Sequence, residues 1–490
     1  MSSSAKTPRT SLAFEVLFVS IICSAQLMTQ AGLALSVVPM FIIGNSYGSS
    51  DPGQLSWFTA AYSLTVGTFI LIAGRLGDTF GHKRFFVAGF LWYGLWCMIG
   101  GLAIYSNQIL FDISRAMQGI GPAFLLPNAI AIIGHTYAGQ IRKQEMIFSL
   151  FGATAPGGFV LGAVFSSLLS ERLSWPWAYW IMAITCCTLG IISVFVIPRA
   201  DVDEEEEEDS RISPLWQRLD IPGSVVGVCG LVLFNFAWNQ GASIGWEAPY
   251  IGVTLALGVI VLCIFTLIEI KATHPLVPFR LLTTEALLSL ICISAGWASF
   301  GNFVLYLWTM MDNLRNQSIL LTSAQFSVVA VSGLCAAITT GFVISHLRIS
   351  LVMLMAMTAF TVGGILFATM PVDQIYWAQT FVGLIILPWG MDMSFPAGTI
   401  VVSRAMPKKQ QGVGASLVNT VVNYSISIGL GIAGTVQVYL VRGGADPLQG
   451  IRSSWYTAIG LAGVGFCTAI VWCLTEKRPK KSKDVTEGSV

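Results

Sequence analysis

Charged side chains are scarce in this 490-residue chain: Asp, Glu, Lys and Arg make up 10% of it, whereas hydrophobic residues make up 54%. Water-soluble chains of this length rarely show such a ratio. A mean hydropathy of +0.73, together with 49 Gly and 15 Trp, is typical of membrane helices and their interfaces. The composition therefore predicts an all-α integral membrane protein.

Several common kinds of site are also missing. The 26 basic and 25 acidic residues nearly cancel, so no charge excess indicates a nucleic-acid partner. The ten Cys lie in apolar stretches without paired spacing and the four His are scattered, so we expect no disulfide framework, metal site or cofactor. The chain has no Gly-Lys pair, which excludes a Walker-type phosphate loop and ATP-driven pumping by this chain alone.

Apolar runs long enough to cross a bilayer recur along the whole chain. A hydrocarbon core about 30 Å thick needs roughly 20 apolar residues per helix. This length predicts spans at 14–40, 54–74, 85–104, 108–134, 145–170, 177–198, 222–240, 250–270, 286–311, 322–345, 350–370, 375–402, 411–440 and 454–474. The sequence therefore predicts fourteen transmembrane helices in a lipid bilayer, grouped as six, two and six.

Charged connections divide the chain into segments. We expect a cytoplasmic N-terminus at 1–13, a six-helix bundle at 14–198, an acidic cytoplasmic linker at 199–220, an inserted helix pair at 221–270, a second six-helix bundle at 271–474 and a basic cytoplasmic tail at 475–490. Eight acidic residues lie between Asp201 and Asp209 in the linker. Many transporters are built from such repeated halves, with a binding site between them near the membrane midplane. We expect a monomer.

The placement of basic residues predicts the orientation, because Lys and Arg favour cytoplasmic loops. With both termini inside, twenty-one of the 26 basic residues fall in cytoplasmic segments and only four in outer ones. The one remaining basic residue, Arg115, lies within a predicted helix. Asn316 begins an Asn-Gln-Ser sequon in a predicted outer loop and is our candidate glycosylation site.

The loop between the second and third spans concentrates charge. From Gly74 to Arg84 it reads Gly-x-Leu-x-Asp-x-x-Gly-x-Lys-Arg, with Asp78, Gly81 and Lys83 at the inner positions. Glycines permit a tight turn, and the carboxylate can cap a helix or pair with a basic side chain. One interpretation is a plain membrane anchor. The spacing resembles the signature loop of the major facilitator superfamily, which implies a conformational gate.

The fourth span carries Asp112 and Arg115, three residues apart on one helical face. A charge at mid-membrane costs about 2.5 to 3.5 kcal/mol on insertion scales, so Arg115 is expected to face a partner or a cavity. The two residues either form a structural ion pair or take part in proton coupling. The Arg-x-x-Gln-Gly pattern from Arg115 resembles the fourth-helix motif of proton-coupled facilitators, which implies the coupling role.

The fifth span contains Gly152, Pro156, Gly158 and Gly162. Small residues four apart allow a neighbouring helix to approach closely, and proline permits a bend. Helix packing alone would explain this pattern. The stretch also resembles the antiporter motif of drug-exporting facilitators, except that Ala155 precedes Pro156 where the motif usually has glycine.

Asp392 lies near the centre of a predicted span in the second half. A carboxylate at this depth is costly, so it indicates proton exchange or a buried partner, unless the span is shifted and Asp392 lies near the inner interface. Gln26, Asn419 and Asn423 are candidate cavity-lining residues, although interhelical hydrogen bonds are the alternative role for such amides.

The region around Asp392 and the run from Gln411 to Ser425 resemble the fungal aminotriazole-resistance and boron-exporter group, within the fourteen-helix branch of drug:proton antiporters. This resemblance covers nearly the whole chain. It implies a major facilitator fold and a proton-coupled plasma-membrane exporter of a toxic small molecule or secondary metabolite, working by alternating access. Two alternatives stay open: proton-linked uptake of a small nutrient, and a transport-dead sensor that recruits partners through its charged linker or tail.

Overall fold

The computed structural model describes residues 11–198, 214–407 and 411–476. The acidic run from Asp201 to Asp209 and nearly all of the basic tail lie outside these ranges. Fourteen helices in the described residues are long and apolar enough to cross a membrane, which confirms the predicted number. The helices are α1 Leu12–Val37, α2 Trp57–Phe80, α3 His82–Leu102, α4 Gln108–Thr136, α5 Ile141–Arg172, α6 Pro176–Val196, α7 Ile221–Ile244, α8 Pro249–Lys271, α9 Thr284–Asn313, α10 Val328–His346, α11 Ile349–Ala368, α12 Gln379–Arg404, α13 Gln411–Arg442 and α14 Pro447–Thr475.

Short helices at Met40–Ser46, Pro52–Leu55, Leu215–Arg218 and Ile319–Phe326 lie between these spans. The last of them almost continues into α10, so the tenth predicted span is built from two helices. At the break, the amide of Ser327 bonds to the carbonyl of Ala324, three residues back instead of four. We call the face at which α1 begins the near face, and the opposite one the far face. Odd-numbered helices begin at the near face and even-numbered helices end there.

Local sequence signals explain where several helices begin. The side chains of Ser11, Asn107, Thr283 and Asp446 each accept a hydrogen bond from an amide three residues further on. These side chains satisfy amides that have no partner within the first helical turn. At the turn between α2 and α3, Gly81 has a φ of +100°, a conformation that other residues rarely adopt. The predicted turn in the charged loop therefore depends on this glycine.

Helices α1–α6 pack mainly against one another and form the first half, and helices α9–α14 do the same in the second half. Two seams join the halves. At the first seam, α2 packs along α13, and the hydroxyl of Ser427 donates to the carbonyl of Ala60 at 3.0 Å. At the second, α5 packs on α10 and on the preceding short helix, where the hydroxyls of Ser167 and Ser323 lie 2.6 Å apart. A movement of one half against the other must involve both seams.

The inserted helices α7 and α8 occupy different positions. Helix α7 packs on α13 and α2, and the amide of Asn239 donates to the carbonyl of Ser427 at 3.2 Å. Helix α8 packs chiefly on α7, with Gly227 and Gly230 of α7 lying close to its side chains. The pair therefore lies beside the first seam, with α8 on its outer side.

Candidate functional site

Arg115 is completely buried inside the first half. Its guanidinium donates to the backbone carbonyls of Phe58 at 2.8 Å and Gly32 at 2.9 Å, to Ser36 Oγ at 2.9 Å, and to the side-chain oxygen of Gln118. These partners come from α1, α2 and α4. The cation also lies 4.6 Å from the ring centroid of Tyr62, a favourable cation–π distance. Neutral oxygens and an aromatic face therefore stabilise this charge.

Of the two interpretations of Asp112 and Arg115, the structural ion pair is not formed in the described residues, and the role in proton coupling stays a prediction. Arg115 turns toward α1 and α2, where its donors are already satisfied. Asp112 is half-buried near the far face, where it lies close to Gln108 and Tyr47. Its Oδ1 atom is buried without a hydrogen-bond partner in the described part of the chain. Sharing a helical face did not bring the two charges together, because the long arginine side chain reaches carbonyls on other helices.

Asp392 lies on α12 where that helix packs on α10, next to the point at which α10 contacts α5. A Cβ atom at Gly333 would lie 2.9 Å from Asp392 Oδ2 and 2.7 Å from Pro156 Cγ. The carboxyl group of Asp392 and the ring of Pro156 therefore both lie next to Gly333, where a larger residue would not fit. Next to it, the hydroxyl of Ser332 donates to the carbonyl of Ile385 at 2.6 Å and ties α10 to α12.

The carboxyl group of Asp392 is incompletely bonded. Its Oδ2 atom is buried and has no hydrogen-bond partner among the described residues, and neither of the ion pairs within those residues includes Asp392. A buried carboxyl oxygen without a donor is costly unless the group is protonated or binds a cation. Asp392 is therefore suited to exchange a proton or to bind a cationic group at the second seam.

The four residues of the antiporter motif have different surroundings. A side chain at Gly158 or Gly162 would lie within 2.4 Å or 2.5 Å of the backbone of α1, at Leu27 and Ala31 respectively. These two glycines therefore allow α5 to pack tightly on α1, as helix packing predicts. Pro156 instead faces the second half at Gly333, and a Cβ at Gly152 would meet nothing within 4 Å.

The charged loop between α2 and α3 joins several elements at the near face. Asp78 forms a 3.5 Å ion pair with His82, whose ring lies 2.9 Å from the side-chain oxygen of Asn128 on α4. Lys83 donates to the carbonyl of Val194 at the end of α6. Arg84 is exposed. Asp78 therefore pairs with a basic side chain of the neighbouring helix α3, which is one of the two roles expected of it.

Gly74 marks the approach of the two halves at the near-face end of the first seam. A Cβ atom there would lie 3.6 Å from Ser416 Oγ of α13 and 3.5 Å from Pro127 of α4. The next residue, Arg75, donates through Nη2 to the carbonyls of His274 at 2.7 Å and Pro275 at 2.9 Å, in the segment that leads from α8 into the second half. We did not single out Arg75 from the sequence, because only the tertiary structure brings residues so far apart in the chain together.

The predicted cavity amides make local hydrogen bonds. Asn419 donates to the carbonyl of Ala415 at 3.1 Å, and Asn423 donates to the carbonyl of Asn419 at 3.0 Å, both within α13. Gln26 is half-buried on α1. Interhelical bonds from side-chain amides occur at other residues, among them Asn239, Gln118 and Asn128, which were not among the predicted cavity amides. Asn419 and Asn423 therefore do not join helices through their amide nitrogens, and a cavity-lining role for them stays a prediction.

The fold and the sequence can be compared with known proteins. The profile of the Major Facilitator Superfamily matches residues 20–430. The chain belongs to the major facilitator superfamily. A solved peptide transporter has a TM-score of 0.64 at 14% identity, covering 95% of each chain, and a nucleoside transporter has a TM-score of 0.63 at 13% identity, covering 94% of this chain and 99% of its own. At such low identity these structures show the fold alone, and they confirm the predicted major facilitator architecture.

Curated relatives of this facilitator are transporters, so the chain is a transporter and not an enzyme. A low affinity ammonium transporter of Saccharomyces cerevisiae is 60% identical over 94% of this chain and 89% of its own length. The efflux pump terJ of Aspergillus terreus is 45% identical over 96% of this chain and 91% of its own length. The aminotriazole resistance protein of Saccharomyces cerevisiae is 37% identical over 92% and 82%. The predicted resemblance to the aminotriazole-resistance group is confirmed.

Proposed function

We propose that this facilitator exports small molecules in exchange for protons by alternating access. The main support for this proposal is the carboxyl group of Asp392. Its Oδ2 atom is buried at the seam between the halves and has no hydrogen-bond partner among the described residues. When the halves rock, the contact between Pro156 and Gly333 must open, and the surroundings of Asp392 change with it. A carboxyl group placed at such a contact can load a proton in one state and release it in the other.

Arg115 has a supporting role in this proposal. Its four bonds to neutral groups hold α1, α2 and α4 together as one unit. Because its described partners are all neutral, Arg115 keeps its charge within the first half, and a direct role in proton coupling stays a prediction. Asp112 lies away from this position near the far face, and we assign it at most a role in accepting protons there.

The experiment has two stages. A strain that overexpresses the chain is screened for resistance to, and efflux of, compounds from several chemical classes. Transport of the selected compound is then measured in proteoliposomes with and without an imposed pH gradient. We expect the gradient to drive transport by the wild type, and Asp392→Asn to remove this dependence while the protein still reaches the membrane. Unaltered coupling in Asp392→Asn would reject the assignment.

A second candidate function is ammonium transport, which the relative that is 60% identical favours. Ammonium is a small cation, and the carboxylate of Asp392 could bind it in place of a proton. Both functions therefore use the same residue, and the direction of transport and the probe must separate them. Cells with and without the gene are given labelled methylammonium. Accumulation that depends on the gene supports uptake of ammonium, whereas unchanged accumulation together with drug efflux supports export.

The proposal also includes an orientation in the plasma membrane. The near face would be cytoplasmic, which places the charged loop at Asp78 inside and Asn316 outside. Asn316 is exposed, and the following Ser318 caps the short helix at Ile319–Phe326. Glycosylation at Asn316 would then appear as a gel shift that glycosidase removes and that Asn316→Gln abolishes. A shift that persists in this variant would contradict the assigned site.

A further inference from the structure

Two acidic side chains are buried together at the near-face end of the inserted helices. Asp220 is 5% exposed and Glu269 is 3% exposed. Asp220 caps α7, where its Oδ1 atom accepts a hydrogen bond from the amide of Gly223 at 3.1 Å. Its φ of +43° is in the left-handed region, which is unusual for a residue with a side chain. Glu269 lies in the last turn of α8, and its Oε2 atom accepts a hydrogen bond from the amide of Val277 at 3.0 Å.

The other two carboxyl oxygens of this pair converge on one point. A Cβ atom at Gly223 would lie 2.4 Å from Asp220 Oδ2 and 2.6 Å from Glu269 Oε1, so only glycine leaves room for both. Both oxygens therefore lie beside Gly223, and no donor in the described residues reaches either of them. Two ionised carboxylates would repel at such a contact. One proton held between the two carboxyl groups would remove this repulsion.

Within the described ranges, no basic side chain forms an ion pair with Asp220 or Glu269. Arg218 and Lys271 lie two residues from Asp220 and Glu269 in sequence, but neither ion pair of the described residues includes them. The other groups that face Glu269 are the backbone amides of Leu276 and Val277. The charge of the pair Asp220 and Glu269 therefore changes when a proton binds to it or leaves it.

The segment held by Glu269 is also held from the opposite side. Its carbonyls at His274 and Pro275 accept both hydrogen bonds from Nη2 of Arg75, at 2.7 Å and 2.9 Å. Arg75 lies in α2 next to Gly74, where α2 approaches α13 of the second half. Residues 274–277 thus connect the acidic pair of the inserted helices to the near-face end of the first seam.

We propose that Asp220 and Glu269 form a proton-dependent latch that positions residues 274–277 for Arg75. With one proton shared, Glu269 holds the amide of Val277 and the two carbonyls stay aligned for the guanidinium. When the pH rises, the proton leaves to solvent at the near face, the two carboxylates repel, and the segment loosens from α2. The near-face end of the first seam then opens more easily. The latch needs only that the halves move, and it does not depend on proton exchange at Asp392.

The test is hydrogen exchange of the full chain in lipid nanodiscs, followed by mass spectrometry of the peptide that covers residues 272–283. Rates measured between about pH 6 and about pH 8 are corrected for the intrinsic pH dependence of exchange. For the wild type, we expect protection of this peptide to fall by about tenfold as the pH rises, which corresponds to roughly one hydrogen bond.

Matched variants show whether the acidic pair causes the pH response of this peptide. In Glu269→Gln, the amide can donate to Asp220 and still accept from Val277, so the peptide should stay protected at both pH values, and Asp220→Asn should behave alike. Glu269→Ala should leave it unprotected at both. Glu145→Gln is the control, because Glu145 is an exposed acidic residue at the near face. This variant should keep the wild-type response. Asp392→Asn should also keep it, which separates the latch from proton coupling. A wild type without a pH response, or a Glu269→Gln variant that retains one, would overturn the proposal.

Discussion

Arg115 and Asp392 are both ionisable groups within membrane helices, yet their surroundings differ. Arg115 is completely buried in the first half and makes four hydrogen bonds to neutral groups. Asp392 is half-buried at the seam between the halves, and its Oδ2 atom has no partner in the described chain. The charge of Arg115 is compensated within one half, whereas the described residues supply no hydrogen-bond donor to Oδ2 of Asp392.

This difference separates a structural charge from an exchangeable one. A buried charge is tolerated when hydrogen bonds replace its lost hydration, and removing it then leaves those partners unsatisfied. A buried carboxyl oxygen without a hydrogen-bond donor does not stabilise the fold in its ionised form. Removal of such a carboxyl group should therefore cost little stability but should change function. Four variants test this separation through the apparent melting temperature in detergent and through transport.

The largest effect is expected for Arg115→Ala. The change leaves Ser36 and Gln118 without their donor and opens a cavity, which we expect to cost roughly 2 to 5 kcal/mol. The measurement is the apparent melting temperature and the amount of folded protein. Arg442→Ala is the control, because Arg442 is exposed and donates only to the carbonyl of Ile244. Equal losses in the two variants would contradict a structural role for Arg115.

The next largest effect is expected for Gly333→Ala. The added methyl group would collide with Pro156 and with the carboxyl group of Asp392, so we expect a loss of about 1 to 3 kcal/mol and slower transport. Gly341→Ala on the same helix is the matched control, since a Cβ atom there meets nothing within 4 Å. Equal transport rates in the two variants would show that the contact between Pro156 and Gly333 does not limit turnover.

A smaller change in stability is expected for Asp392→Asn. An amide removes the uncompensated charge and keeps the volume, so the melting temperature should be unchanged or should rise by an amount equivalent to about 1 kcal/mol. Transport driven by the pH gradient should nevertheless be lost. A marked fall in melting temperature would mean that Asp392 has a stabilising partner and would erase its contrast with Arg115.

The smallest effect is expected for Asp112→Asn. Because Asp112 does not pair with Arg115, the substitution should change the free energy of unfolding by no more than about 0.5 kcal/mol. The double variant with Arg115→Ala should then show additive losses. Coupling between the two substitutions in this double-mutant cycle would reveal an interaction between the residues in solution.

Hydropathy was sufficient to predict most of the fold. A helix must satisfy its backbone within itself to cross a bilayer, so apolar length alone predicted fourteen spans. The close packing of Gly158 and Gly162 on α1 was also predictable, because small residues four apart on a helix serve this purpose. The partners of Arg115 were not predictable, since helical spacing says which residues share a face and not where a long side chain ends.

Hydropathy and motif spacing are local properties, so they were enough to predict which helices carry charge and that the chain is a transporter of the major facilitator type. Which of those charges are satisfied follows from the folded arrangement. The carbonyls around Arg115, the glycine beside Asp392 and the contact between Asp220 and Glu269 all come from separate helices. Their positions follow from how the helices pack, and packing depends on the whole chain at once.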